Sequence, residues 1–87
     1  MNNIANGNEM SFQVLIEEDK VQGDFIAYIP AVRLGVHGDT IDEVRANAKE
    51  LLQLEIQSRL QQGKSLPSDN LAWVEQITIE IPLQLNK

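Results

Sequence analysis

A single long helical pattern, over residues 41 to 62, stands among patterns that are otherwise typical of short strands. Its apolar residues recur at steps of three and four, which places them on one stripe of an amphipathic helix. The stripe consists of Ile41, Val44, Ala48, Leu51, Leu52, Ile56 and Leu60. Thr40 and Glu43 match a capping box, and Gly63 suits the position after the helix. Because one helix covers only one face of a sheet, a second face is left exposed.

Three strand patterns precede the helix and one follows it. Residues 11–17, 24–29 and 31–36 are joined by short connections, which favours an antiparallel meander. Residues 75–81 alternate most regularly, with isoleucine at every second position from 77. The element order is β-β-β-α-β, an α+β fold. Since crossovers are right-handed, we expect the last strand beside and parallel to the first, in a mixed four-stranded sheet of order 3-2-1-4 with the helix on one face.

The length of 87 residues allows a single domain. Residues 1–10 are polar, with three asparagines among the first seven, so we expect a disordered leader before one domain over residues 11–87. The chain has no cysteine, which excludes a disulfide scaffold and a cysteine-based zinc site. No apolar run approaches the roughly 20 residues of a membrane span, and no signal peptide pattern is present. These features predict a cytoplasmic protein.

The charge balance is acidic: 13 acidic against 7 basic residues give a net charge of −6. The basic residues are scattered, which disfavours direct nucleic-acid binding and favours a basic protein partner. Four carboxylates cluster across the first hairpin, and they are either a partner-binding surface or a solvated turn. They are Glu17, Glu18, Asp19 and Asp24.

Little in the sequence indicates catalysis. His37 lies two residues before Asp39, so a His–Asp base is conceivable, but a solvated turn histidine explains the pattern as well. No serine lies in a Gly-x-Ser-x-Gly setting. The glycines between residues 35 and 40 precede a helix, as in an anion cradle, without a phosphate-binding lysine. The hairpin carboxylates lie mostly in a turn, which disfavours metal catalysis. We therefore predict no catalytic, cofactor-binding or metal-binding residues, and no enzyme activity.

Several large apolar residues lie outside the core that one helix can cover. Leu15, Ile26 and Tyr28 fall on the opposite face of the sheet, and Leu54 lies off the helix stripe. Trp73 either caps the end of the core or makes a dimer contact, since tryptophan is enriched among interface anchors. These five residues predict a homo-oligomer, either a dimer or a dimer of dimers.

The order and spacing of several motifs resemble those of a known family. The motifs are Phe12-Gln13-Val14-Leu15-Ile16-Glu17, Gly23-Asp24-Phe25-Ile26-Ala27-Tyr28-Ile29-Pro30, Gly38-Asp39-Thr40-Ile41-Asp42-Glu43, Ala46-Asn47-Ala48-Lys49-Glu50 and Gly63-Lys64-Ser65-Leu66-Pro67. Together they resemble the N-terminal domain of HicB-like antitoxins, the UPF0150-type domain, over residues 11 to about 82.

That resemblance implies a partial RNase H-like fold, usually without nuclease activity, in a homo-oligomeric protein. It also implies a function: binding and masking a HicA-type toxin, a small basic protein that cleaves mRNA. Many family members add a C-terminal DNA-binding module, which we do not expect here because the sequence ends soon after the last strand. The alternative is a solo oligomeric HicB-like protein with a regulatory or scaffold role and no toxin partner.

Overall fold

A computed structural model describes residues 4–5, 9–69 and 72–83 of the chain. Its elements are β1 (Ile4–Ala5), β2 (Glu9–Met10), β3 (Leu15–Asp19), β4 (Asp24–Ile29), β5 (Leu34–Gly38) and α1 (Ile41–Gln61). The strands β3, β4 and β5 form an antiparallel sheet in that order, and β1 pairs with β2 in a separate two-stranded sheet. The helix packs on one face of the larger sheet, over β4 and β5.

Local side-chain and backbone hydrogen bonds close both turns of the meander. In the β3–β4 turn, one Asp19 carboxylate oxygen accepts the backbone N–H groups of Val21 and Gln22 at 3.1 and 3.0 Å. This turn uses Gly23 at φ +78°, a conformation that glycine adopts without strain. In the β4–β5 turn, the Arg33 N–H donates to the Ile29 carbonyl at 2.8 Å. These turns set the strand register.

The turns also decide where the strands begin and end. The predicted strand at 24–29 matches β4, but the first strand pairs over Leu15–Asp19 instead of 11–17. Residues 11–14 lie beyond the Leu15–Tyr28 pair that begins the ladder, so they run alongside no strand. Residues 30–33 form the turn that begins at Pro30. The third strand, predicted over 31–36, therefore lies at Leu34–Gly38.

The core lies between the sheet and the first half of α1. Ala27 and Ile29 of β4 meet Val44 and Ala48 of α1, and all four are buried. Partly buried side chains surround them: Val14, Ile16, Phe25, Val32, Val36, Leu51 and Leu52. The predicted helix stripe is thus buried at Val44 and Ala48, whereas Leu60, at its far end, is exposed.

The predicted caps of α1 form. The Thr40 hydroxyl accepts the Glu43 N–H at 3.0 Å. The Glu43 carboxylate reaches back to the Asp39 N–H at 2.6 Å, one residue earlier than the capping box predicts. At the other end Gly63 has φ +68°, and the Lys64 N–H donates to the Arg59 carbonyl at 2.9 Å, which is a Schellman motif. The helix bounds therefore agree with the sequence pattern to within one residue.

The prediction of a mixed four-stranded 3-2-1-4 sheet is wrong. Residues 75–81 form no strand. They belong to an exposed segment, residues 73–83, that has no regular secondary structure before Leu83, and we call this segment the arm. The Gln13 N–H donates to an Asp69 carboxylate oxygen at 2.6 Å, shortly before the arm begins. No residue of the arm belongs to either sheet. The radius of gyration, 17.0 Å, is accordingly larger than the roughly 12 Å of a compact domain of this length.

The predicted leader, residues 1–10, is described only in part. Within it, Ile4 pairs with Met10 and Ala5 with Glu9, which is an antiparallel contact of two residues on each side. Residues 1–3 and 6–8 of the leader lie outside the described residues.

Candidate protein-binding surfaces

In the part of the chain that the structure describes, no helix or strand covers the face of the sheet opposite α1. Leu15 pairs with Tyr28, and both side chains are about half exposed there. Ile26 lies two residues along β4 on the same face, between Glu17 on β3 and His37 on β5. We call this surface, made by Leu15, Glu17, Ile26, Tyr28 and His37, the far face. Its three apolar residues are three of the five that the sequence predicted for an oligomer interface.

The four hairpin carboxylates do not form one patch. Glu17 points to the far face, whereas Glu18, the next residue of the strand, points to the other side. Asp19 is occupied by the turn that it closes. Asp24 is mostly buried, and one of its carboxylate oxygens is buried without a hydrogen-bond partner. Glu17 and Glu18 are therefore the two that project into solvent at the β3–β4 end of the sheet.

The structure gives His37 a different carboxylate neighbour from the one that the sequence suggested. Its Nδ1 lies 3.3 Å from an Asp24 carboxylate oxygen, while the backbone N–H of Asp39 serves the helix cap. The His37 carbonyl accepts a hydrogen bond from Asn47 at 2.7 Å, which ties β5 to α1. The imidazole is 69% exposed, so water is not excluded from the pair. Within residues 4–5, 9–69 and 72–83, no group of three or more acidic or histidine side chains could hold a metal ion.

Sequence reasoning missed an apolar groove under the second half of α1. The helix has 21 residues and is about 31 Å long, whereas the six residues of β4 span about 20 Å. The helix therefore extends past the sheet, and residues 9–12 approach the overhang from the other side. They enclose a groove of about 630 Å³, lined by Glu9, Met10, Ser11, Phe12, Lys49, Leu52, Gln53, Ile56, Leu60 and Leu66. The length of the apolar stripe relative to the short strands was the signal for it.

The arm is the second unpredicted surface. Its isoleucines, at positions 77, 79 and 81, are between 75% and 83% exposed. Trp73 does not cap the core; its indole N–H donates to the Glu75 carboxylate at 2.6 Å, within the arm itself. Leu54, on the outer side of α1, is exposed as well. The predicted interface residues thus lie on three separate surfaces: the far face, the outside of the helix and the arm.

Comparison of the chain with protein-family models, with curated proteins and with solved structures finds no match. Among the described residues, no helix has both the length and the apolar character needed to cross a membrane.

Proposed function

We propose that this protein is a HicB-like, antitoxin-type binding module. It neutralises a small basic HicA-type mRNA-cleaving toxin by protein–protein contact and has no catalytic activity of its own. The observation that carries the proposal is the exposure of two carboxylates on the edge strand β3, Glu17 on the far face and Glu18 on the other side of the same strand. The acidic net charge and the HicB-like motifs support it.

The chemistry of this surface suits a basic partner. Exposed carboxylates at the rim of an interface attract a positively charged protein and raise its association rate. Binding at this surface needs no DNA-binding module and no cofactor. The proposed location is the cytoplasm, where an mRNA-cleaving partner acts.

The alternative is a solo oligomeric HicB-like protein with a regulatory or scaffold role. The observation that favours it is the exposed arm, because an unpaired apolar segment is suited to self-association. The two candidates differ in whether a basic toxin is bound at the acidic end of the sheet.

Calorimetric titration with a catalytically inactive HicA-type toxin tests the proposal. We expect Glu17→Lys or Glu18→Lys to weaken binding by about tenfold and to reduce its salt dependence. The matched control is Glu50→Lys, which makes the same charge change on an exposed residue of α1 and should leave the affinity within about twofold. Absence of binding by the wild type, or an equal loss in the Glu50→Lys control, would overturn the proposal.

A further inference from the structure

We propose that two copies of this chain exchange their arms. The arm of one copy docks in the groove of the other, with its isoleucines against the apolar side chains of α1 and residues 9–12. This inference concerns self-association and does not rest on the proposed toxin binding, which lies at the β3–β4 turn.

The arm has the pattern of a strand that has one buried face. Ile77, Ile79 and Ile81 fall on one side, and the polar residues Gln76, Thr78 and Glu80 fall on the other. Pro82 follows the last isoleucine and ends any further pairing, because proline has no N–H to donate. Three consecutive alternating isoleucines, all largely exposed, form an apolar stripe that a stable monomer rarely presents to water.

The groove offers an apolar surface that matches the isoleucine stripe of the arm. Phe12 and Met10 form one wall, and Leu52, Ile56 and Leu60 of α1 form the other. Its apolar walls have no packing layer between them, and Leu60 remains 63% exposed. Residues 11–14 belong to no strand, and β3, which follows them, is an edge strand of its sheet, so an incoming strand has an edge to pair with except at the Gln13 N–H, which donates to Asp69.

The dimensions agree. The seven residues of 75–81 span about 23 Å when extended, and the nine residues of 11–19 span about 30 Å, so the receiving segment is long enough. Among the described residues of one chain, the arm pairs with no strand and none of its residues lines the groove. A two-fold exchange fills both grooves with identical segments, which is the self-complementary arrangement common in homodimers. The like charges of the two copies oppose it only over short range, since physiological salt screens them beyond about 8 Å.

Light scattering of the purified full chain, with a matched pair of variants, tests the exchange. We expect the wild type at micromolar concentration to have at least twice the monomer mass of 9.8 kDa. Ile79→Glu should raise the concentration at which the arm contact forms by about a hundredfold, because it places a charge against the groove, and the mass at micromolar concentration should fall by at least half. Thr78→Glu changes the neighbouring residue on the polar side and should leave assembly unchanged. Both positions are exposed in the single chain, so neither change disturbs its fold.

Two results would overturn the proposal: a wild-type mass of 9.8 kDa, or an oligomer that tolerates Ile79→Glu as well as it tolerates Thr78→Glu. In either case the affinity for a HicA-type toxin is measured separately. Loss of arm exchange is thereby distinguished from failure of the proposed function.

Disulfide trapping identifies which chain fills the groove. The protein lacks cysteine, so each introduced thiol is unique. After mixing of differently tagged Ile79→Cys and Gln53→Cys chains, mild oxidation should give a covalent dimer that carries both tags. Replacing the second chain by Ala46→Cys, which lies outside the groove lining, should give none. If a chain with both Ile79→Cys and Gln53→Cys instead closes on itself at the monomer mass, the arm folds back and exchange is refuted.

Discussion

Gly38 shows how one absent side chain sets the distance between helix and sheet. It is the last residue of β5 and is buried beneath the start of α1. A Cβ atom at this position would lie 2.5 Å from the Val44 backbone nitrogen, which is closer than atoms of this kind can approach. The strand therefore contacts the helix backbone directly, and the Asn47 hydrogen bond to the His37 carbonyl holds the two elements at that distance.

We expect Gly38→Ala to destabilise the protein by about 2 kcal/mol, since overpacking against rigid backbone typically costs 1–3 kcal/mol. Gly35→Ala is the milder comparison and should cost less, because a Cβ there meets one backbone atom, the Ala27 carbonyl oxygen, at 3.3 Å, and a shift of a few tenths of an ångström relieves that contact. Urea unfolding of the two variants at equal protein concentration measures the difference. Equal midpoints would show that α1 does not approach β5 as closely as described.

The Thr40 hydroxyl offers a second residue-scale prediction. Thr40→Ala removes the acceptor for the Glu43 N–H and should lower the free energy of unfolding by about 1 kcal/mol. Thr40→Ser keeps the acceptor and should restore most of the loss. A denaturation midpoint for Thr40→Ala that equals the wild-type midpoint would mean that this hydrogen bond does not contribute to stability.

At the scale of the element, α1 is a helix of which only the first half has a sheet beneath it. Val44 and Ala48 are buried against β4 and β5, whereas Leu60, at the far end of the helix, is 63% exposed. The apolar stripe continues along the whole helix in the sequence, but the burial of its residues decreases toward the C-terminal end. Beyond Leu52, which still packs against the core, the apolar stripe residues of the second half face the groove, and Leu60 remains 63% exposed.

Burial along the stripe predicts where truncation matters. Val44→Ala should cost about 2 kcal/mol, from two lost methyl groups and the cavity that they leave. Val21→Ala makes the identical change in the β3–β4 turn, where valine is 94% exposed, and should cost less than about 0.5 kcal/mol. Thermal unfolding of both variants gives the comparison. A similar loss in both would contradict the described position of the core.

The whole molecule has more apolar surface than one copy covers. The far face, with Leu15, Ile26 and Tyr28, and the arm, with its isoleucines, lie on different parts of the protein. Two independent self-contacts of this kind generate a dimer of dimers with closed symmetry. Each surface can then be tested by a change that leaves the other intact.

We expect Tyr28→Glu to halve the mass of the assembly, because it places a charge in the centre of the far face while the arm still docks. Ile26→Glu should act in the same way. Val21→Glu adds the same charge at an exposed turn and should leave the mass unchanged. Sedimentation velocity distinguishes the species, and an unaltered mass for Tyr28→Glu would remove the far face as an interface.

The prediction that the chain is not a nuclease also belongs to the whole molecule. Glu17 and Glu18 point to opposite sides of the sheet and Asp19 closes a turn, so these carboxylates do not converge on one metal ion. Purified protein incubated with RNA and Mg²⁺ or Mn²⁺ should leave the RNA intact. Cleavage that disappears in Asp24→Asn would contradict this prediction.

The sequence by itself determined the elements whose signals are local. The bounds of α1, the strand β4 and the Thr40 cap follow from periodicity and from hydrogen bonds between residues close in the chain. The acidic residues of the first hairpin were identified, but strand alternation and the turn hydrogen bonds separate them. Tertiary structure alone decided that residues 75–81 pair with no strand of their own chain and that α1 extends past the sheet to leave a groove. The reason is that an alternating pattern specifies which face of a strand is apolar, whereas the partner of that face depends on the register and edges of the assembled sheet.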